Sequence, residues 1–262
     1  MKRLIINADD FGYTRGVVDG IADAYRQGIV TATTVLINSP HLDYALEKLK
    51  SLPAIDIGLH LNITWGKPIS PPEKVKTLIG ENGNFIRRTK FDDVDPDEVE
   101  FEWRAQVQKA RSCKLPLSHL DSHHHVHMHP ALLDIIAEVA LEESLAVRSQ
   151  ETWIRDFLKA NGIRTPDYFI VDFYGEKMTT LMHLQNLLSV IPDGFTEVCC
   201  HPAHVDDELR KASSYNEPRN SEYNVLTDPK LKAWLSEEQI VLGNFKELPA
   251  RKGVPDKSCD LK

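Results

Sequence analysis

The feature that most constrains the fold of this chain is an alternation of short apolar runs and amphipathic helical segments, repeated about seven times. The first apolar run, 4–8, is continuous, as is typical of a strand buried on both faces of a sheet. Such alternation predicts parallel strands joined by right-handed helical crossovers. The sequence therefore predicts an α/β fold, an incomplete (β/α) barrel of about seven parallel strands, with an open doubly wound sheet as the alternative.

The length of the chain and the breaks in this pattern indicate a single domain. A chain of 262 residues is the size of one α/β barrel. We predict one barrel domain over 1–250, with loop insertions near 63–95, where proline and glycine are frequent, and near 205–223, where the sequence is polar. We expect residues 251–262 to form a frayed tail.

The composition argues against several classes of function. The net charge of -8 provides no basic face for nucleic acid. The sequence has no run of about twenty apolar residues, so we expect no membrane span. The apolar run after Lys2 and Arg3 ends at once in Asp9 and Asp10, unlike a secretion signal. The cysteines lack the C-x-x-C spacing of structural zinc sites, so we expect reduced thiols in a cytoplasmic protein.

Five of the eleven histidines lie within residues 121–130, which makes this segment the strongest candidate for chemistry. It follows a predicted strand at 117–120 and precedes a predicted helix at 130–141, and α/β folds place their functional loops at such junctions. Imidazole is the commonest side-chain ligand for metals. Taken alone, the cluster could equally be an adventitious metal-binding run or a turn with solvated histidines.

Three further strand ends carry polar side chains that suit a catalytic metal site. The carboxyl ends of all strands in a parallel barrel meet at one rim, so these residues are expected to converge with the histidine cluster. Two histidines and one carboxylate form a recurring site for a divalent metal, while a second carboxylate can act as base and another histidine as acid. Taken singly, the aspartates could cap a helix, and the histidines could be hydrogen-bonded core or turn residues. The candidates are Asp9 and Asp10, His60 and Asn62, Asp121 with His123, His124, His125 and His127, and His201 with His204.

Four motifs lie in chain order along the sequence. They are Asn-Ala-Asp-Asp-Phe-Gly at 7–12, Gly-Leu-His-Leu-Asn at 58–62, His-Leu-Asp-Ser-His-His-His-Val-His at 119–127 and Cys-His-Pro at 200–202. Together they resemble the motifs of the YdjC family of carbohydrate deacetylases, which includes the chitooligosaccharide deacetylases, and the resemblance covers nearly the whole chain. It implies an incomplete (β/α) barrel with an Asp-His-His metal site, similar to that of the NodB-type polysaccharide deacetylases.

The resemblance also implies a reaction and assigns roles to residues. It implies hydrolysis of N-acetyl groups from a small N-acetylated oligosaccharide such as diacetylchitobiose, by a homodimer that uses one divalent cation, Mg²⁺ or Zn²⁺. Carried onto this chain, the resemblance makes Asp10, His60 and His123 the metal ligands. Asp9 would be the base that takes a proton from water, and His201 the acid that protonates the amine.

Substrate contacts are predicted at Asn62, Arg148 and Tyr174, each near a predicted strand end. Sugar sites combine aromatic faces with polar groups, although Arg148 could instead form an ion pair and Tyr174 could instead be a packing residue. Two other functions stay open. One is a different metal-dependent amidase or phosphoesterase that uses His125 and His127 as paired ligands. The other is a non-catalytic metal- or sugar-binding protein.

Overall fold

Eight parallel strands form one sheet in the computed structural model of the chain, which describes residues 1–86, 91 and 93–249. The strands are β1 (Lys2–Phe11), β2 (Ala32–Val35), β3 (Asp56–Leu61), β4 (Leu117–Ser122), β5 (Ala146–Val147), β6 (Tyr168–Ile170), β7 (Gly194–Cys200) and β8 (Val241–Leu242). The first five strands are neighbours in chain order, and β7 lies between β1 and β6.

The order of the strands is that of a barrel left open between β5 and β6. It runs β5-β4-β3-β2-β1-β7-β6, and β5 and β6 do not pair within the described residues. The short β8 pairs with β1 at Arg3 and Leu4, before β2 begins to pair with the same strand at Asn7. The prediction of an incomplete (β/α) barrel of about seven parallel strands is confirmed, rather than the open doubly wound alternative.

The helices begin where the sequence carries capping residues. The Thr14 hydroxyl accepts a hydrogen bond from the backbone N–H of Val17 and caps the first helix. The Asp95 carboxylate accepts a hydrogen bond from the backbone N–H of Asp97 and caps the third helix. The described helices are α1 (Arg15–Gln27), α2 (Leu42–Leu49), α3 (Pro96–Ser112), α4 (Pro130–Glu143), α5 (Thr152–Ala160), α6 (Leu181–Ser189), α7 (Asp207–Ala212), α8 (Glu217–Leu226) and α9 (Pro229–Glu237).

The prediction of a loop near 205–223 is wrong in its secondary structure, because α7 and most of α8 lie there. The side chains of Asp206 and Asn216 accept hydrogen bonds from backbone N–H groups and cap the two helices. The segment has a polar sequence partly because α8 buries the charged side chains of Arg219 and Glu222. This helix therefore belongs to the structured rim of the barrel.

The other predicted insertion, near 63–95, has little regular structure where it is described. It contains a 3₁₀ turn at Pro72–Lys74 and an isolated bridge between Ile79 and Phe85. The predicted tail at 251–262 lies outside the described residues. Among the helices that the structure describes, none is both long enough and apolar enough to cross a membrane.

Candidate active site

A cleft of about 420 Å³ opens at the carboxyl rim of the barrel, where the ends of β1, β3, β4, β6 and β7 meet. Its described lining combines carboxylates, imidazoles and aromatic rings. The main contributors are Asp9, Asp10, Tyr13, His60, Thr64, Trp65, His123, His124, His125, Tyr174, His201, Tyr215 and Arg219. The four separated motifs of the sequence therefore converge at one place.

Asp10 is the centre of the predicted metal site. Its backbone φ of 71° is left-handed, and this bend allows both Asp9 and Asp10 to line the cleft although they are consecutive. The Oδ1 atom of Asp10 lies 3.4 Å from Nε2 of His60 and 3.9 Å from Nε2 of His123. Within the described residues, this buried oxygen has no hydrogen-bond partner.

The two histidines are oriented by contacts at their other ring nitrogens. Nδ1 of His60 is 2.7 Å from Oδ1 of Asp121 and 3.0 Å from the Thr34 hydroxyl. Nδ1 of His123 is 2.7 Å from the Thr64 hydroxyl. Each imidazole therefore keeps Nε2 for a ligand, the arrangement that outer partners impose on metal-binding histidines. One carboxylate oxygen and two imidazole nitrogens are a donor set that fits a divalent cation.

The charge around His60 also favours a cation. Burial alone would lower the pKa of His60, but the adjacent carboxylates of Asp121, Asp10 and Asp9 outweigh burial and raise that pKa to about 10. The same carboxylates stabilise any positive charge placed between them, and a bound cation would replace the proton that His60 carries at Nε2.

The local strand-to-helix turn explains why His123, rather than its neighbours, faces Asp10. His124 and His125 have left-handed backbone conformations, with φ of 58° and 55°, and they reverse the chain directly after His123. His127 is turned back into the barrel. Its ring nitrogens contact the Ser122 hydroxyl at 2.6 Å and the carbonyl of Arg148 at 3.2 Å. Because both nitrogens of His127 are engaged, the alternative metal pair of His125 and His127 has no support in this geometry.

Among the described residues, two groups of side chains bring potential ligand atoms within 4.8 Å of one another, and both contain Asp9, whereas neither contains Asp10 or His123. One adds Cys199 and His201, and the other adds His60 and Asp121. Both oxygens of Asp9, however, already accept hydrogen bonds of 2.7 Å from the guanidinium of Arg148. A metal ion there would compete with Arg148 for both oxygens, whereas a guanidinium binds Asp10 at one oxygen only, which favours Asp10 as the metal ligand.

Asp9 is suited to remain ionised beside the predicted metal site. Burial opposes its ionisation, but the guanidinium of Arg148 outweighs burial and holds the pKa of Asp9 well below its usual range. The carboxylate also accepts a hydrogen bond from the Cys199 thiol at 3.2 Å. Oδ2 of Asp9 lies 4.0 Å from Nε2 of His201, so the predicted base and acid are adjacent.

His201 follows β7 and lies between aromatic rings and buried charges. Burial, followed by the proximity of Arg219, lowers the pKa of His201 to about 4, so its imidazole is neutral at neutral pH. The rings of Tyr174 and Tyr215 stack at 3.9 Å and approach the His201 ring at 5.7 and 5.8 Å.

The three predicted substrate contacts lie in different environments. Tyr174 lines the cleft and is 47% exposed. Asn62 is buried, and its side chain bonds to backbone groups of Thr64 and Trp65, so it shapes the loop after β3. Arg148 is fully buried and bonds to carboxylates, which is the ion-pairing role that the sequence left open. Neither Asn62 nor Arg148 is among the described residues that line the cleft.

From the sequence, Arg219 belongs to a loop expected to cover the cleft, but the contacts that α8 makes with the site were not predicted. Nη2 of Arg219 donates a 2.7 Å hydrogen bond to Oδ2 of Asp10, opposite the free Oδ1. Glu222 is fully buried, and it accepts hydrogen bonds from the backbone N–H of His201 and from the Tyr215 hydroxyl. Arg219 and Glu222 are three residues apart, and residues with that spacing share one face of a helix. This spacing was the signal in the sequence that the two side chains could act at the same place.

A family model described as "YdjC-like protein" matches residues 3–237. The chain belongs to the YdjC-like family. One relative, a carbohydrate deacetylase of Thermoanaerobacter pseudethanolicus, is 39% identical over 250 residues, 94% of this chain and 98% of the relative.

Solved structures show the same architecture. A candidate cellobiose-phosphate cleavage protein of Enterococcus faecalis V583 has a TM-score of 0.88 and 36% identity, and the match covers 94% of this chain and 98% of that chain. A family 4 carbohydrate esterase from Streptomyces lividans, solved with acetate, has a TM-score of 0.52 at 9% identity, covering 97% and 98% of the two chains. At that identity, the esterase shows only a shared fold.

Proposed function

We propose that this YdjC-like protein is a metal-dependent carbohydrate deacetylase that removes N-acetyl groups from small N-acetylated oligosaccharides such as diacetylchitobiose. The proposal is carried by Oδ1 of Asp10, which is buried and faces Nε2 of His60 and of His123. Among the described residues, this oxygen has no hydrogen-bond partner. The base and acid candidates Asp9 and His201 lie in the same cleft. Curated relatives named carbohydrate deacetylase support the reaction class.

Asp10, His60 and His123 would hold one divalent cation, Mg²⁺ or Zn²⁺. When bound, such a cation polarises the acetamide carbonyl and makes water more acidic. Histidine donors suit zinc and carboxylate donors suit magnesium, so both ions are included in the test below.

The residues beside the metal site supply the proton transfers. The ionised carboxylate of Asp9 takes a proton from water as the water oxygen attacks the acetamide carbon. His201 then delivers a proton to the nitrogen as the C–N bond breaks, which gives acetate and a free amine. Because the His201 imidazole is neutral at neutral pH, it must first gain a proton, and Asp9 Oδ2 is 4.0 Å from its Nε2.

The sugar would lie against the aromatic side of the cleft. Tyr174 presents a half-exposed ring next to His201 and is backed by Tyr215. Trp65 and Tyr13, which also line the cleft, stack on each other at 4.3 Å. Aromatic faces of this kind cover the apolar faces of sugar rings. A homodimer stays a prediction from the family resemblance, and a cytoplasmic location stays a prediction from the cysteine pattern.

The test is acetate release from diacetylchitobiose by protein that has been stripped with a chelator and then supplied with Mg²⁺ or Zn²⁺ alone. We expect no release after stripping and restored release with at least one ion. His60→Ala is the matched control, because it should bind little metal and release no acetate with either ion. Full activity of the stripped protein, or full metal occupancy in His60→Ala, would contradict the proposal.

A further inference from the structure

The proposed acid, His201, lies between two carboxyl groups that come from different elements. Its Nε2 atom is 4.0 Å from Asp9 on β1, and its Nδ1 atom is 4.0 Å from Oε1 of Glu222 on α8. In the part of the chain that the structure describes, this buried Nδ1 has no hydrogen-bond partner. A histidine that transfers protons through one ring nitrogen depends on the partner of the other, which fixes its tautomer and orientation.

Glu222 is itself held firmly in place. Its side chain is fully buried, and Oε2 accepts a hydrogen bond from the backbone N–H of His201. Its Oε1 accepts a hydrogen bond from the Tyr215 hydroxyl, which in turn accepts one from the backbone N–H of Gly175 at 3.1 Å. The Glu222 carboxyl group is therefore fixed relative to the backbone of His201, and it faces the imidazole ring of the same residue.

We infer that Glu222 is a positioning residue for His201, holding the imidazole with Nδ1 toward α8 and Nε2 toward the cleft. This inference rests on the proposed function. A separation of 4.0 Å exceeds a hydrogen bond, but acid–base contacts of this kind tighten when substrate binds. Because Glu222 is not among the described residues that line the cleft, it acts through His201 and does not touch substrate.

The competing explanation is that Glu222 only fastens α8 to the end of β7. Removing a buried hydrogen-bonded carboxyl group would then lower stability, and activity would fall whether or not His201 were present. A positioning role requires instead that the effect of Glu222 disappears when His201 is absent. A double-mutant cycle separates these two cases.

The experiment measures acetate release by the metal-loaded wild type, Glu222→Gln, His201→Ala and the double variant. We expect Glu222→Gln to lower kcat by about 10- to 100-fold, the usual cost of losing an outer orienting partner, with KM and metal content unchanged. On the His201→Ala background, the same substitution should change kcat by less than about twofold. An equal loss on both backgrounds would overturn the inference.

Two further variants keep the test decisive. Glu217→Gln, on the same helix but exposed and paired with Arg210, should leave kcat unchanged. If Glu222→Gln fails to fold, Tyr215→Phe retains the ring but removes the hydrogen bond to Oε1 of Glu222. We expect Tyr215→Phe to lower kcat only when His201 is present, and a loss that persists in His201→Ala would count against positioning.

A spectroscopic measurement separates this inference from the proposed function. The ¹⁵N chemical shifts of the His201 imidazole report which ring nitrogen carries the proton, and they need no turnover. We expect an Nδ1 proton in the wild type and a redistributed proton in Glu222→Gln. Wild-type protein that releases no acetate would contradict the proposed function, whereas identical His201 spectra in the two proteins would overturn the inference about Glu222.

Discussion

Two buried arginines bind the two consecutive aspartates of β1, and they do so differently. Arg148 donates to both oxygens of Asp9 at 2.7 Å and also to Glu197. Arg219 donates to only one oxygen of Asp10, and its Nη1 atom has no hydrogen-bond partner within residues 1–86, 91 and 93–249. Asp9 is thus neutralised at both oxygens, while Asp10 keeps one oxygen directed at two histidines.

This contrast gives a physical reason for assigning different roles to adjacent, chemically identical side chains. A bidentate guanidinium keeps a carboxylate ionised and fixed, but it disfavours a second cation beside the same oxygens. A carboxylate held at one oxygen is oriented and still has a free donor for a metal. The number of oxygens that each arginine occupies therefore separates the proposed base from the proposed ligand.

The strongest test of the difference between Asp9 and Asp10 is to replace each aspartate with asparagine. Asp9→Asn should lower kcat by about 10²- to 10⁴-fold, the usual worth of a general base, and should retain metal. Asp10→Asn should lose metal, because it removes the charged ligand. Metal content by mass spectrometry and acetate release separate the two outcomes, and metal loss in Asp9→Asn with retention in Asp10→Asn would reverse the assignment.

A second test compares the stabilities that the two arginines provide. Arg148→Met leaves Asp9, Asp121 and Glu197 buried without their shared counter-ion, so the free energy of unfolding should fall by about 3–5 kcal/mol. Arg219→Met leaves one carboxylate, Asp10, that a metal can neutralise. Denaturant unfolding with and without metal should show a smaller loss for Arg219→Met, which added metal reduces. Equal losses that metal does not change would contradict the contrast.

A smaller effect is expected when Arg219 is replaced by lysine, which keeps the charge but not the guanidinium geometry. Arg219→Lys should weaken metal binding by about 10- to 100-fold, as is usual when the partner that orients a ligand is altered. Calorimetric titration of the stripped protein with Zn²⁺ measures this change. Unchanged affinity would show that Asp10 needs no orientation from α8.

The sequence predicts the barrel, and it places the candidate site residues at the strand ends, for physical reasons. Buried parallel strands such as β1 are continuous apolar runs, and polar side chains that interrupt such runs at strand ends are conspicuous. The choice of His123 over its neighbours depends on left-handed turns at His124 and His125, which no local pattern of the sequence reveals.

The contribution of α8 could not be predicted in the same way. Charged residues are rarely buried without a partner, and the partner of Arg219 lies 209 positions away in the chain. In the sequence, a polar segment such as 205–223 therefore resembles a surface loop. Only the folded barrel shows that its charged side chains contact the ends of β1 and β7. The same long separations explain why Arg148 was a candidate substrate contact although it is enclosed by carboxylates.

The central claim is that one cation is held by Asp10, His60 and His123. A crystal structure of the protein loaded with Zn²⁺, with anomalous data collected at the zinc edge, tests it most directly. We expect one strong peak about 2.0–2.2 Å from Oδ1 of Asp10 and from Nε2 of each histidine. A peak instead between Asp9 and His201, or no peak at the rim, would contradict the claim.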